Sequence, residues 1–285
     1  MTAAAIARVV EDLRAGRINN ITGHDWGELH HVTRDGCPVV DATAIYDSIV
    51  SKDEPIYLYE DHPCIAPPWS TGLICYVNAH GNVTAMLTVA FDERDGDGPR
   101  WQTDNTVDWD RVRWIVSTVV YIGGRAGDGR PFPTSGPLHL FESAVYDDGK
   151  PADLHWTQLV PDYPIDNWEN AHLVMLGVHN FMNCRNVQLV EPIRPRAEAR
   201  CIARTGVTVS TVSVFPTSKS TKGTPGPGAG LGVPLTSVVG HFASYGPKYG
   251  RGLLFGKLEG RFWHPQHARG KAELGERRHD YDLIE

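Results

Sequence analysis

The sequence predicts an α+β fold: a mostly antiparallel sheet packed around one buried central helix, with no doubly wound domain. Three observations predict it. Gly (29) and Pro (20) are frequent and β-branched runs recur in every third of the chain, a pattern of many turns and short strands. One segment, 167–183, is apolar on nearly all of its helical faces, which marks a helix with neighbours on every side. Strand and helix patterns do not alternate in the sustained way that a doubly wound sheet requires. With 285 residues, 41% of them apolar, the chain can bury a core without help from metals or disulfides.

Each element has its own signal. Over 3–14, Ile6, Val9, Val10 and Leu13 fall at helical spacing, and Gly16 can end that helix. A polar turn is expected at 23–27. Asp41 is placed to cap a short second helix carrying Ile45 and Ile49. A weakly alternating strand follows at 56–60. Strands at 72–79 and 83–91 flank His80-Gly81-Asn82, a hairpin turn in which Gly and Asn tolerate positive φ. The acidic stretch 92–99 reads as a loop, 112–122 as a strand and 123–136 as a long Gly/Pro/Arg loop. A second hairpin, 138–146 with 154–160, turns at Asp147-Asp148-Gly149. Asp166 caps the helix at 167–183, and Glu169 completes a capping-box pair. A strand at 187–190, a basic Pro-containing connector at 192–204 and a strand at 207–215 come next. The Gly/Pro stretch 218–232 is a flexible loop, followed by two final strands at 235–245 and 253–263.

Charge divides the chain into an acidic α+β body, a basic strand-rich segment that completes the same fold, and a charged tail. Residues 1–193 carry 13 Lys/Arg against 27 Asp/Glu, 194–273 carry 12 against 3, and 274–285 carry 2 against 4. Such asymmetry points to an anionic partner for the basic segment, or to a basic segment neutralised by the acidic body. The five cysteines are odd in number and lack a CxxC pair, and no signal peptide or membrane span is visible. A cytoplasmic location with free thiols is expected.

Several chemistries are disfavoured by spacing. His62, Cys64, Cys75 and His80 do not form the two close pairs of a zinc site, since Pro63 separates the first two. His172 and His179 lie seven residues apart on one helix, about 10 Å, too far for one ion. The acidic run Asp92, Glu93, Asp95 and Asp97 lacks EF-hand spacing. Neither a nucleophile elbow nor a phosphate loop occurs. No motif specifies a cofactor, and no metal site is expected.

The C-terminal segment carries more chemistry. His241, Phe242, Tyr245, Lys257, Arg261, Trp263, His267 and Arg269 crowd into about thirty residues. Aromatics interleaved with cations can stack bases and neutralise phosphates, and histidine can move protons. A strand over 237–244 would turn His241 away from Phe242, which is expected in the core. Pro265 should end the last strand, leaving His267 on the following loop. His241 and His267 are therefore the candidate catalytic residues. Lys257, Arg261, Trp263, Arg269 and Tyr245 are the candidate ligand-binding residues. His241, Lys257, His267 and Arg269 are expected to meet at one edge.

Gly240-His241-Phe242, Tyr245, Leu254-Phe255-Gly256-Lys257, Gly260, Phe262-Trp263, Pro265, His267 and Arg269-Gly270 together resemble a C-terminal signature. It belongs to a group of actinobacterial phage and prophage proteins and reads R-G-H-F-x-x-Y, L-F-G-K and G-x-[YF]-W-x-P-x-H-x-R-G. Phe181-Met182-Asn183-Cys184-Arg185-Asn186-Val187 is similar to that group's F-x-[HN]-C-[KR]-N-V, and Ala66-Pro67-Pro68 resembles an early motif. Thr236 and Val239 depart from the group's His and Arg. The resemblance implies a phage or prophage setting and no mechanism. Three functions are compatible: nucleic-acid association through the basic aromatic segment, interaction with a host or phage protein, and an enzyme for a nucleotide-like phosphorylated ligand.

Overall fold

The computed structural model describes residues 2–14, 37–50, 64–96, 107–125, 139–158, 168–215, 234–238, 240–265, 267–269 and 271–277. The turn at 23–27, the strand at 56–60, the loop at 218–232, the residues His62 and Asp166, and most of the 123–136 loop lie outside the described residues. The chain groups into two compact units: Met1–Asn183 with Gln188–Ser213, and Cys184–Val187 with Val214–Glu285. The charge boundary at 193/194 thus falls inside the first unit.

The first unit is α+β and is built on a sheet of eight strands. In chain order these are β1 (Val39–Asp41), β2 (Thr71–Val77), β3 (Asn82–Asp92), β4 (Val112–Arg125), β5 (His139–Tyr146), β6 (Pro151–Gln158), β7 (Val187–Val190) and β8 (Val209–Val214). Their spatial order is β6-β5-β4-β3-β2-β1-β8-β7. Strands β2 to β6 form an antiparallel meander. Its turns are local and legible: Asn78 Oδ1 accepts the N–H groups of His80 and Asn82, and Gly81 takes a φ of 79°. Beyond this antiparallel run the sheet is mixed, because β1 runs parallel to both β2 and β8. A helix, α2 (Thr43–Val50), links β1 to β2, and such a crossover lets two consecutive strands point the same way. Asp41 accepts from the Thr43 N–H at 3.1 Å and so starts that helix.

Four α-helices occur among the described residues: α1 (Thr2–Arg14), α2, α3 (Trp168–Met182) and α4 (Arg196–Thr205). Helices α1 and α4 cover one sheet face. Ile6, Val10 and Leu13 of α1, with Ile202 of α4, pack on Leu73, Cys75, Leu87, Val119 and Tyr121. Helices α2 and α3 cover the other. Tyr46 stacks on Tyr76 with centroids 4.6 Å apart, and His172 stacks on Phe141 at 5.6 Å. The sheet is therefore the central layer, rather than one helix. The expected burial of α3 does hold along 171–181 except at Leu173, because α2 lies beside it and the sheet beneath. Each large apolar side chain buried this way contributes roughly 1.5–3 kcal/mol.

Helix α4 replaces the connector expected at 192–204. Only Ile202 of its ten residues is buried, so it shows no apolar stripe, and Pro195 precedes the helix instead of breaking it.

The second unit holds a three-stranded sheet, β12-β9-β13, and a two-stranded one, β10-β11. The strands are β9 (Pro234–Val238), β10 (His241–Tyr245), β11 (Gly260–His264), β12 (His267–Arg269) and β13 (Lys271–Arg277). Strand β9 pairs antiparallel with β12 and parallel with β13. The expected strand 235–245 is thus two strands in different sheets. The expected strand 253–263 survives only as β11, which ends immediately before Pro265. Residues 247–258 are spent on a 3-10 turn at Pro247–Tyr249 and a tight turn closed by Leu254 and Leu258.

The C-terminal end of α3 fixes a segment of the first unit that has no regular structure of its own. Asn183 Nδ2 donates to the carbonyls of Ala66 (2.8 Å) and Cys64 (3.3 Å), and Asn180 Oδ1 accepts from the Cys64 N–H (3.2 Å). On its other side, the Ile65 N–H donates to the Gly149 carbonyl at 2.8 Å. Gly149 has a φ of 83°, and a Cβ there would lie 2.5 Å from the Cys64 sulfur. Gly149→Ala is therefore expected to lose about 2–4 kcal/mol, from left-handed backbone strain plus steric overlap. Urea unfolding measures it, and a loss under about 1 kcal/mol would show that the turn relaxes freely.

Candidate functional site

The hairpin β10-β11 collects most of the candidate residues, and its register decides which of them meet. His241 lies opposite His264, Phe242 opposite Trp263, Ala243 opposite Phe262, Ser244 opposite Arg261, and Tyr245 opposite Gly260. Alternation then gives two faces. One carries His241, Ala243, Tyr245, Phe262 and His264. The other carries Phe242, Ser244, Arg261 and Trp263.

On the first face Ala243 (4% exposed) and Phe262 (3%) form a buried floor. The core aromatic is therefore Phe262, which corrects the expectation for Phe242. Phe242 is only partly buried; its ring lies 4.6 Å from that of Trp263 and under the Arg261 guanidinium, also at 4.6 Å. His241 does face away from Phe242, and it is partly exposed.

Above the floor, Tyr245 Oη and His264 Nε2 are 3.2 Å apart. The His241 and His264 rings stack with centroids 5.2 Å apart and planes inclined by 23°. The constellation is a tyrosine and two histidines on one strand pair. His264 is one of the three histidines of this segment, and residue type alone does not mark it as a candidate. The signal for it is the hairpin register itself: once Tyr245 faces Gly260, His241 must face His264.

Strand β11 is held in place by the segment 184–187. Asn186 Nδ2 donates to the Trp263 carbonyl (2.8 Å) and its Oδ1 accepts from the Trp263 N–H (3.0 Å). The Arg185 N–H donates to the Arg261 carbonyl at 2.9 Å. A Cβ on Gly260, which has a φ of 122°, would come within 2.8 Å of Arg185 Nε. Glycine is thus what lets Arg185 lie across the strand.

The remaining predicted residues lie elsewhere in the unit. His267 and Arg269 belong to β12, where they pair with Val238 and Thr236 of β9. Lys257 is exposed on the Leu254–Leu258 turn. His241 itself pairs with His264 across the hairpin.

The loop between β10 and β11 shows a different character. Tyr249 (40% exposed), Leu253 (42%) and Phe255 (61%) project outward. Phe255 adopts a φ of 54°, a left-handed conformation that bulky residues rarely take. Lys248, Arg251 and Lys257 are exposed beside them, with the Lys248 ammonium 4.7 Å from the Tyr249 ring centroid. Glu259 is the one acid in this loop. The second unit as a whole carries 11 Lys/Arg against 6 Asp/Glu, net +5, and the first carries 16 against 28, net −12.

Elsewhere the structure separates the groups considered for metals. Cys75 is buried under α1, while Cys64 sits by Gly149, and both belong to the free thiols. Burial pushes the Cys75 thiol well up, which makes it inert. Asp92 is engaged by Arg94 (3.0 Å) and Arg113 (2.6 Å). Among the described residues no three His, Cys, Asp or Glu side chains group as metal ligands. A polar row that sequence patterns do not reveal crosses the meander: Ser117, Glu142 and His155 lie side by side on β4, β5 and β6. Burial raises the Glu142 carboxyl, and His155 and the Ser117 hydroxyl partly offset that rise.

Helix α3 holds two buried histidines. Burial pushes both His172 and His179 down to about 4, so they are neutral in the folded chain. The His172 Nε2 has no hydrogen-bond partner among the described residues. The unfolded chain binds protons below about pH 6.5 that the folded chain refuses until about pH 4. Stability is therefore full above about pH 6.5 and falls as pH drops toward 4, by about 2–3 kcal/mol per histidine. Urea unfolding at about pH 7 and about pH 4.5 measures it. His172→Phe should flatten the slope, and an unchanged slope in that variant would show that His172 is not one of its sources. Compared with protein-family models, curated proteins and solved structures, the chain matches none.

Proposed function

We propose that this chain associates with nucleic acid through its second unit, and that a single strand is the form it engages. The observation that carries the reading is the β10-β11 loop. It presents Tyr249 and Phe255 outward together with Lys248, Arg251 and Lys257. An aromatic left in water costs the fold stability and gains nothing from packing. The same ring provides a stacking platform for a base that is free of a duplex. Cations one to eight residues away neutralise the phosphates on either side. The rings of Phe242 and Trp263, both partly buried, lie on the same hairpin beside the buried Arg261. The acidic first unit opposes non-specific attachment along a duplex, which favours a short, local contact.

Fluorescence anisotropy with labelled single-stranded DNA, duplex DNA and RNA, at about 50 and about 200 mM salt, tests the reading. Single strands should bind tightest, and affinity should fall with salt. Phe255→Ala should weaken binding about 5- to 100-fold with little change in the salt slope, as expected for one lost base stack. Lys257→Ala should reduce the slope by about one ion. Absence of binding at the lower salt, or binding that is indifferent to both substitutions, would overturn the proposal. Co-purification with a protein partner under those conditions would favour an interaction surface built on Leu253 and Phe255 instead.

A further inference from the structure

We propose that Tyr245 is a nucleophile toward phosphodiesters and that His264 accepts its proton. The proposal rests on the nucleic-acid reading and adds a covalent step to it. A phenol is a weak nucleophile until a base draws off its proton, and the useful distance for that is about 2.6–3.2 Å. Tyr245 Oη and His264 Nε2 are 3.2 Å apart. A base must also be held in orientation by a third group. The His241 ring, stacked on His264 at 5.2 Å, does this from one side. The paired backbone does it from below, because Asn186 grips both polar groups of the neighbouring Trp263 peptide. The Tyr245 ring rests edge-on against Phe262 at 6.0 Å, so the phenol is supported by a dry floor while the residue remains partly exposed.

Tyr245 Oη reaches along the strand pair to His264, which stands opposite His241 at the end away from the β10-β11 loop. The cations of the loop, where the Gly246 N–H donates to the Arg251 carbonyl at 3.2 Å, hold the flanking phosphates, and the strand laid along the hairpin brings one phosphodiester to the phenol.

The step balances without an added reactant. A lone pair of Tyr245 Oη attacks phosphorus, and the Oη–P bond forms as the phenolic proton passes to His264 Nε2. The P–O bond to one flanking sugar breaks. The leaving alkoxide takes the proton back from the His264 imidazolium and departs as a hydroxyl. The product is a phosphotyrosyl ester joining the chain to one fragment of the cut strand.

The test is a denaturing gel. The full chain is incubated with a pool of short single-stranded oligonucleotides carrying a dye at the 5′ end in one set and the 3′ end in the other. A dye-bearing protein band that survives detergent and heat is expected, and the set that carries it tells which P–O bond broke. Tyr245→Phe should lose the band entirely while keeping the ring, the melting temperature and the anisotropy-measured affinity. His264→Ala should reduce the rate of band formation about 10²- to 10⁴-fold. Tyr146→Phe, in the first unit, should leave the band unchanged. Binding without any band, or a band that persists in Tyr245→Phe, would overturn the nucleophile and leave the nucleic-acid reading intact. Absence of binding in the wild-type chain would remove both.

Discussion

The primary amide of Asn186 donates to and accepts from the Trp263 peptide, and the candidate site hangs on that pair of bonds. A side-chain amide used this way imitates a neighbouring strand. It satisfies a backbone edge that a two-stranded hairpin would otherwise leave open. Because side chains alternate along a strand, a slip of one residue in β11 would turn Phe262 outward and send His264 to the opposite face. The Asn186 clamp, together with the Arg185 contact to Arg261, removes that freedom. The Tyr245–His264 approach and the His241 stack follow from it without any further constraint.

The segment that contains this asparagine serves both units of the chain. Asn183, three residues earlier, holds the carbonyls of Cys64 and Ala66 within the first unit. Residues 184–187 hold β11 within the second. The motif around Cys184 thus spends its amides on two stretches of backbone, the 64–66 segment and strand β11. Cys184 itself is buried, as its position after an apolar helix implies.

What could be read in advance was whatever a short stretch of chain decides alone. Helix α1 follows from Ile6, Val10 and Leu13, helix α2 from the Asp41 cap, and the two hairpins from Gly81 and Gly149. What could not be read was set by residues far apart. Strand β1 has three residues, too few for a period, and exists because β2 and β8 flank it. Helix α4 buries only Ile202, so its sequence carries no stripe, and the two prolines nearby read as a connector. Phe242 and Phe262 look alike in sequence, and alternation puts them on opposite faces without saying which face is dry. In the site the same limit applies. His241 and Tyr245 are recognisable by residue type, whereas the contact each makes with His264 follows only from the hairpin register.

Phe255 shows what this chain has not been optimised for. A bulky residue held in left-handed backbone costs about 1–2 kcal/mol relative to one that fits there, and its ring recovers little of that by burial. Glycine or asparagine would serve the turn better. Selection for thermal tolerance alone would discard this side chain early, and a search for stabilising substitutions would rank the position among the first to change. The turn tip is thus a place where robustness and whatever the ring touches pull in opposite directions. An engineer seeking a hardier version of this protein should leave residue 255 until last.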